Sequence, residues 1–309
     1  LADRKSRSGT GKEAAREGVT ITHPEKVLFP EDGITKSELA AYYDAIAPHM
    51  LPHIAGRPIT MERYHRGIGE TGFFQKDVVK GFPAWLERVE VPKKGGTVHH
   101  PVARDARALV WMANQNSITP HVWPSRTPDL FQPDVCVFDL DPMVENAKTL
   151  RGAALRLRDL LGELGLESWV KTSGSKGFHI VVSLDGAADF GRVARFSDAV
   201  GRALVNRDPE HLTQEFAKAD RGERILIDTR RNAYSATFAA AYAVRPKAGA
   251  PVSAPCTWEE VERGKAGPQS FHLRNMAQRV ADAGELWQDL PARKQSIEGA
   301  VERLRGMAA

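Results

Sequence analysis

Apolar positions recur along this chain with two periods, and the period changes from segment to segment. Leu39, Tyr42, Tyr43, Ile46 and Met50 fall on one stripe of a 3.6-residue repeat and predict an amphipathic helix from Lys36 to about Met50. Thr35 and Glu38 stand at the spacing of a capping box that would start it. Leu150, Ala154, Leu157, Leu160, Leu161 and Leu164 form a second stripe, which Gly165 ends. Val193, Phe196, Val200 and Leu204 mark a helix from Phe190 to Leu204, and Ala106 to Asn116 is a further candidate. Between these lie short runs rich in strand formers: Gly18 to Ile21, Gly56 to Tyr64 with its leading turn, Ile118 to Trp123, Val135 to Phe138, Ser168 to Thr172, Phe178 to Leu184 and Arg224 to Asp228.

From Val135 onward the order reads β-α-β-β-α-β, the signature of a split βαβ unit. The expected class is α+β. A catalytic module over about 131–250 would pack against an N-terminal α/β module over about 18–130, followed by a helical part over about 251–290 and a terminal helix or linker at 291–309. Residues 1–17 are polar, charged and Gly/Ser-containing, and read as a flexible basic tail. Lys93-Lys94-Gly95-Gly96 reads as a mobile basic loop or hairpin tip.

The 309 residues are 42% apolar, enough for one large domain or two small ones. No run of eighteen apolar residues appears, and the basic N-terminus lacks an apolar core, so neither a membrane span nor a signal peptide is expected. Cys136 and Cys256, the only cysteines, are far apart and suggest no disulfide framework or four-ligand zinc site, which fits a reducing cytoplasm. A net charge of +4 permits a nucleic-acid partner without requiring one.

The chemistry concentrates in three places. In VCVFDLDP, Val135 to Pro142, an apolar strand ends in Asp139 and Asp141. Side chains alternate along a strand, so both acids share a face with Cα atoms roughly 6.6–6.8 Å apart. Such carboxylates repel unless a divalent cation lies between them, and hard cations prefer oxygen ligands. In SGSKGFH, Ser173 to His179, small residues let backbone N–H groups approach an anion while Lys176 adds charge. The GxxxxGK[ST] spacing of a Walker A motif is absent. Asp228 ends the last strand of the unit and can complete a cluster of three acids if that strand neighbours the first. Three acids, an anion loop and basic residues on one face point to two-metal nucleotidyl transfer.

Two further features bear on a partner. Lys36 opens a helix, where a cation opposes the dipole and a nearby phosphate would resolve the conflict. Phe73 and Phe74 are adjacent on a predicted strand and point to opposite faces. One can enter the core while the other, flanked by Arg63 and Lys76, stacks on a base. Taken singly, each feature has a plain alternative: a solvated strand end, a Gly/Ser turn, an exposed lysine, a pair of buried aromatics, a structural His121.

DLD, SGSKGFHI and LID resemble the three motifs of the archaeo-eukaryotic primase superfamily. With EKVLFP, ITKSELAAYY, IAGRP and GFFQK, the chain from Gly18 to about Leu290 resembles the polymerase domain of bacterial DNA ligase D, or a stand-alone paralogue. The resemblance implies a primase-polymerase fold whose split βαβ, RRM-like module carries the catalysis. It implies that Asp139, Asp141 and Asp228 bind two ions, Mn²⁺ favoured over Mg²⁺. Ser173, Lys176, His179 and Arg245 would bind the triphosphate, with His121 near the sugar and phosphates. Lys26 and Lys36 would hold a downstream 5′-phosphate, Phe73 and Phe74 would support the template, and Arg221 would lie near the primer terminus or metal site. Arg231 departs from the pattern, standing where relatives often carry a neutral polar residue. The implied partners are DNA with a gap or break, NTP or dNTP with ribonucleotides preferred, the end-binding protein Ku and a DNA ligase. The chain is expected to act as a monomer in the cytoplasm, at the nucleoid. A DxD glycosyltransferase and a non-catalytic DNA-end or gap-binding module are the rival readings. The first needs no third strand-end acid, and the second does not need all three acids.

Overall fold

The computed structural model describes residues 14–308. β1 (Ala14–Arg16) and β2 (Val19–Ile21) form a hairpin, so part of the stretch expected as a tail is a strand; residues 1–13 of it lie outside the described residues. β3 (Val27–Phe29) and β4 (Ile34–Thr35) form a second hairpin that leads into α1 (Lys36–Ile54). Both halves of the capping box form: Thr35 Oγ1 accepts from the Glu38 N–H at 3.2 Å, and Glu38 accepts from the Thr35 N–H at 3.0 Å. α1 runs past the predicted end at Met50, through Pro48 and Pro52. Each proline removes a helical N–H, but Ile54 lies one turn beyond Met50 on the buried stripe, and both are fully buried. Packing overrides the local penalty.

β5 (Ile59–Arg63) and β6 (Phe73–Gln75) are followed by the hairpin of β7 (Arg88–Lys93) and β8 (Gly96–Pro101), with Lys94 and Gly95 at its tip as expected. α2 (Ala106–Asn114), capped by Asp105, packs on α1 and leads to β9 (Ser117–Val122). Then come β10 (Val135–Pro142), α3 (Ala147–Glu163), β11 (Trp169–Thr172), β12 (Phe178–Ser183), α4 (Phe190–Arg207), β13 (Leu212–Thr213) and β14 (Ile225–Asp228). The chain closes with β15 (Phe238–Ala239), β16 (Pro255–Cys256), α5 (Trp258–Glu262), α6 (Met276–Ala283) and α7 (Glu298–Ala308). No helix among the described residues is long and apolar enough to cross a membrane.

Two sheets carry the architecture. One runs β15-β9-β5-β6; the other runs β13-β14-β10-β12-β11-β16. The four strands β14-β10-β12-β11 have the fourth-first-third-second order of a split βαβ unit, so β10 and β14 are neighbours as the β-α-β-β-α-β reading requires. The additions on either edge, β13 and β16, are two residues each and carry no sequence pattern of their own. β15 follows β14 in sequence but joins the other sheet beside β9, which stitches the two sheets together.

β10 is buried on both faces, and this places the acids. Cys136, Phe138 and Leu140 pack into a core with Leu150 and Leu157 of α3 and Phe196 and Val200 of α4. Val135 and Val137, on the opposite face, join the core that holds Tyr43 and Ile54 of α1. Asp139 and Asp141 continue that second face beyond the apolar contact. The seam between the two cores therefore opens into a polar site at the C-terminal end of β10.

Gly177 holds β12 against that end. A methyl group on Gly177 would lie 1.6 Å from the Leu140 carbonyl oxygen, a clash with backbone. Gly177→Ala should push β10 and β12 apart and cost at least the upper end of the roughly 1–3 kcal/mol seen for overpacking. Gly162, inside α3 with open space around it, is the contrast: Gly162→Ala should stabilise by about 0.5–1 kcal/mol. Urea unfolding of both variants measures the difference, and equal midpoints would refute the close approach.

Candidate active site

A single row of side chains crosses the larger sheet. Asp139 on β10 faces Asp228 on β14 and His179 on β12, and His179 faces Lys171 on β11. Directly paired residues share a face of the sheet, so Asp228, Asp139, His179 and Lys171 lie side by side. Asp141 sits on the same face two residues along. A cavity of about 550 Å³ opens here. Ser173, Ser175, Lys176 and Gly177 line it from the β11–β12 loop, joined by Phe216, Lys218, Arg221, Arg231 and Arg245. Eight of the residues singled out by sequence thus meet at one place: Asp139, Asp141, Asp228, Ser173, Lys176, His179, Arg221 and Arg245.

The loop is held from within. The Ser173 hydroxyl accepts from the N–H groups of Ser175 at 3.1 Å and Gly177 at 3.0 Å. Arg245 donates to the Ser173 carbonyl at 2.8 Å, while its Nε is buried without a hydrogen-bond partner. A buried, unpartnered guanidinium N–H beside a lysine-bearing loop suits an anion.

Burial raises the Asp139 carboxyl to about 6, with the neighbouring charges of Asp228 and Asp141 adding to the rise and Arg231 opposing it. Arg231 reaches Asp139 at 3.4 Å and Asp228 at 3.3 Å. Arg221, buried and fixed on the carbonyls of Glu215 and Phe216, donates to Asp141 at 3.0 Å. Among the described residues, no three His, Cys, Asp or Glu side chains close on one point as a metal cage; arginine charge stands where the cluster of acids was expected to close. The donor set still fits a divalent cation. All three acids offer hard oxygens, and Arg231 Nε, although near Asp139, makes no hydrogen bond. Its contact is a loose one that a bound ion can replace.

The remaining residues fall elsewhere. His121 does not line the cavity; its Nε2 lies 2.9 Å from Glu62, which also accepts from the Tyr64 hydroxyl at 2.9 Å. Phe74 meets the His121 ring edge-on at 5.4 Å. Phe73 and Phe74 are 39% and 64% exposed. The expectation that one of them enters the core is therefore wrong. β6 is a three-residue edge strand, and Phe73 lies against His65 and the Arg63 guanidinium, at 5.0 and 5.4 Å. Lys36 is buried, not a solvated helix-end lysine: its amine donates to the Thr22 carbonyl at 2.6 Å, and burial and the charge of Lys26 lower it to about 8. Lys26 donates to the His65 carbonyl, and Arg63 donates to the Gln115 carbonyl at 2.8 Å and to Gln75. Lys26, Lys36, Arg63 and Phe73 form a basic and aromatic group of their own. Lys76, exposed just after β6, does not line the cavity. Sequence reasoning passed over Glu62, Lys171, Phe216 and Ser253. Only Lys171 left a trace, as a lone charge inside an apolar strand.

Comparison with known proteins adds the following. Residues 35–287 match the family profile described as LigD, primase-polymerase domain. The chain is 36% identical over 281 residues to the multifunctional non-homologous end joining protein LigD of Mycolicibacterium smegmatis, covering 89% of this chain and 36% of that protein. It is 33% identical over 294 residues to the Mycobacterium tuberculosis LigD (strain H37Rv), covering 90% and 38%. The solved polymerase domain from Mycobacterium tuberculosis ligase D in complex with DNA superposes with a TM-score of 0.84 at 32% identity, covering 90% of this chain and 99% of that one. The chain thus spans little more than a third of these curated relatives.

The raised Asp139 carboxyl has a consequence for stability. Its folded pKa of about 6 exceeds the unfolded value of about 3.9. The unfolded chain therefore gives up this proton first as pH rises, and stability falls between about pH 4 and 6 and is flat above. Asp139→Asn should be more stable than the unmodified protein at pH 8, by on the order of 2–3 kcal/mol, a net figure that already contains the opposing Arg231 charge. The difference should close near pH 4. Urea unfolding with a chelator present measures it, and a difference independent of pH would show that the buried charge is not its source.

Proposed function

This chain belongs to the LigD primase-polymerase domain family, and we propose from that premise that it adds nucleotides, ribonucleotides preferentially, to a primer 3′-hydroxyl at DNA gaps or breaks in end joining or short-gap filling. The observation that carries the reading is the sheet register. It sets Asp139 beside Asp228, with Asp141 on the same face, at the mouth of a cavity whose other wall is the Ser173–Gly177 loop and Arg245. Acid on one wall and base on the other suits a metal-bound triphosphate.

Asp139, Asp141 and Asp228 would hold two divalent ions, Mn²⁺ or Mg²⁺, which when bound activate the 3′-hydroxyl and neutralise the transferring phosphoryl group. Ser173, Lys176, His179 and Arg245 orient the triphosphate, Lys176 as a mobile point charge and Arg245 as a fixed fork. Arg221, pinned by backbone carbonyls against Asp141, keeps that carboxylate turned toward the primer end. Arg231 balances the charge of Asp139 and Asp228, the acids that would hold the metals. His121, oriented by Glu62, faces the nucleotide sugar. Lys26 and Lys36 take the downstream 5′-phosphate, and Phe73 and Phe74 present exposed rings to the template at the break, with Arg63 and Lys76 beside them. The relatives are end-joining proteins by name, which favours Ku and a DNA ligase as partners.

The discriminating experiment offers a primed gap with labelled UTP, and separately a labelled UDP-sugar with acceptors. Incorporation only from UTP is expected, and sugar transfer would reverse the reading. Asp139→Ala or Asp141→Ala should abolish addition while leaving DNA affinity nearly intact. Retention of more than about a tenth of the rate, only ~1.4 kcal/mol of barrier, would remove these acids from the chemistry.

A 5′-phosphate on the downstream strand should tighten binding by roughly 5- to 150-fold, as expected from the roughly 1–3 kcal/mol of new charged hydrogen bonds. Replacement of Lys26 and Lys36 together by Ala should erase that preference and leave affinity for 5′-hydroxyl DNA largely unchanged. Anisotropy titrations at fixed salt read both. Equal binding of the two DNAs by the unmodified protein would argue for simple primer extension instead.

A further inference from the structure

The row across the sheet does not stop at His179. Lys171 faces it on β11, is fully buried, and places its amine 2.8 Å from His179 Nδ1. The same amine donates to Ser253 Oγ. Ser253 is itself buried and sends its own hydroxyl proton to the Thr172 carbonyl at 2.9 Å, so its oxygen is left to accept. On the other side of the imidazole, Nε2 lies 3.5 Å from Asp139 Oδ1, at the cavity wall.

We propose that Lys171 is a positioning residue: anchored on Ser253, its amine donates to His179 Nδ1, holds the ring as the Nε2–H tautomer and aims that N–H into the anion subsite. The proposal rests on the reading of His179 as a triphosphate donor. The opposite tautomer needs the lysine nitrogen as acceptor and turns a bare Nε2 lone pair toward the Asp139 carboxylate and toward any phosphate oxygen, all of them acceptors. A charged amine can only donate and so selects this tautomer by itself; with a neutral amine the carboxylate end of the ring selects the same one. A neutral imidazole has one N–H, so the tautomer decides whether that N–H points into the subsite. A buried lysine is a poor choice for packing alone, because an apolar side chain would fill the space without the desolvation penalty. Orienting the functional histidine through its second nitrogen is the arrangement by which outer residues fix an imidazole elsewhere in protein chemistry.

The test is ¹⁵N NMR of the histidine rings in the full chain without nucleotide, with the His179 signals identified by their loss in His179→Gln. The expected spectrum shows a protonated Nε2 and an unprotonated, hydrogen-bonded Nδ1. In Lys171→Met, Nδ1 should move to the position of an unbonded ring nitrogen. The KM for UTP at a primed gap should rise on the order of tenfold, the low end of what such orienting partners contribute, with kcat changed by less than about twofold. A proton on Nδ1 in the unmodified protein overturns the proposal, and this measurement stands even if Lys171→Met does not fold. An unchanged His179 spectrum in Lys171→Met overturns it as well. If the spectrum changes as expected while KM stays constant, Lys171 does hold the tautomer, and the assignment of His179 to the triphosphate is what fails.

Discussion

Two carboxylates face each other across the pairing of β10 and β14, Asp139 and Asp228. Like charges directly opposite on neighbouring strands destabilise a sheet, and here burial adds to the penalty by raising Asp139. The strands cannot escape by slipping. A one-residue shift would turn Leu140 and Phe138 out of the core they share with α3 and α4. The hydrophobic register therefore imposes the electrostatic conflict. The protein answers it with guanidinium groups, Arg231 beside Asp139 and Asp228 and Arg221 beside Asp141. These two answers differ in kind. Arg221 is buried and tied to two carbonyls, whereas Arg231 is half exposed and makes no hydrogen bond through its Nε. One is a fixture of the site; the other is a cover.

The same register explains why the site lies at a junction. β10 buries one face against its own helices and the other against the core of α1, α2 and the smaller sheet. A strand covered on both sides has nowhere to present a polar group except past the end of its apolar run. The switch from Val137 to Asp139 on the face toward the N-terminal module falls where that cover stops. β15, which leaves the larger sheet to pair with β9, ties the two sheets together, while the residues that line the cavity all come from the stretch between Asp139 and Arg245.

Much of this was legible before the coordinates. The strand ending in DLD, the Ser173–His179 loop and Asp228 could be placed because apolar runs with sharp polar ends predict both a strand and the point where it becomes accessible. The capping box at Thr35 was legible because it depends on four consecutive residues. What could not be read depends on register between distant strands. Lys171 sits in WVKT, where alternation leaves it as apt for solvent as for a core, and only the pairing with His179 shows it buried. Glu62 becomes a partner of His121 through the β5–β9 pairing, over fifty residues away in sequence. Phe73 and Phe74 depart from the alternation for a related reason: it gives a buried face only where a layer packs on the strand, and at the sheet edge β6 leaves both rings exposed. The proline-containing end of α1 is not legible locally, because it depends on the core that holds Ile54.

Across the sheet the order Asp228, Asp139, His179, Lys171 runs from acid through imidazole to amine, and the arrangement is a graded one. Asp228, Asp139 and His179 line the cavity, whereas Lys171 is buried behind the imidazole and reaches a ligand only through it. Lys176, Arg245 and Asp141 line the same cavity, with Arg231 and Arg221 paired to the acids. Under the proposed reading, the acids that would hold the ions and the Ser173–Gly177 loop with Arg245 together set how a triphosphate lies. The reacting phosphoryl group then lies over the acids and the rest of the triphosphate over the bases. Selectivity for such a ligand would come less from any single contact than from four strands whose hydrophobic registers allow only this order of charges.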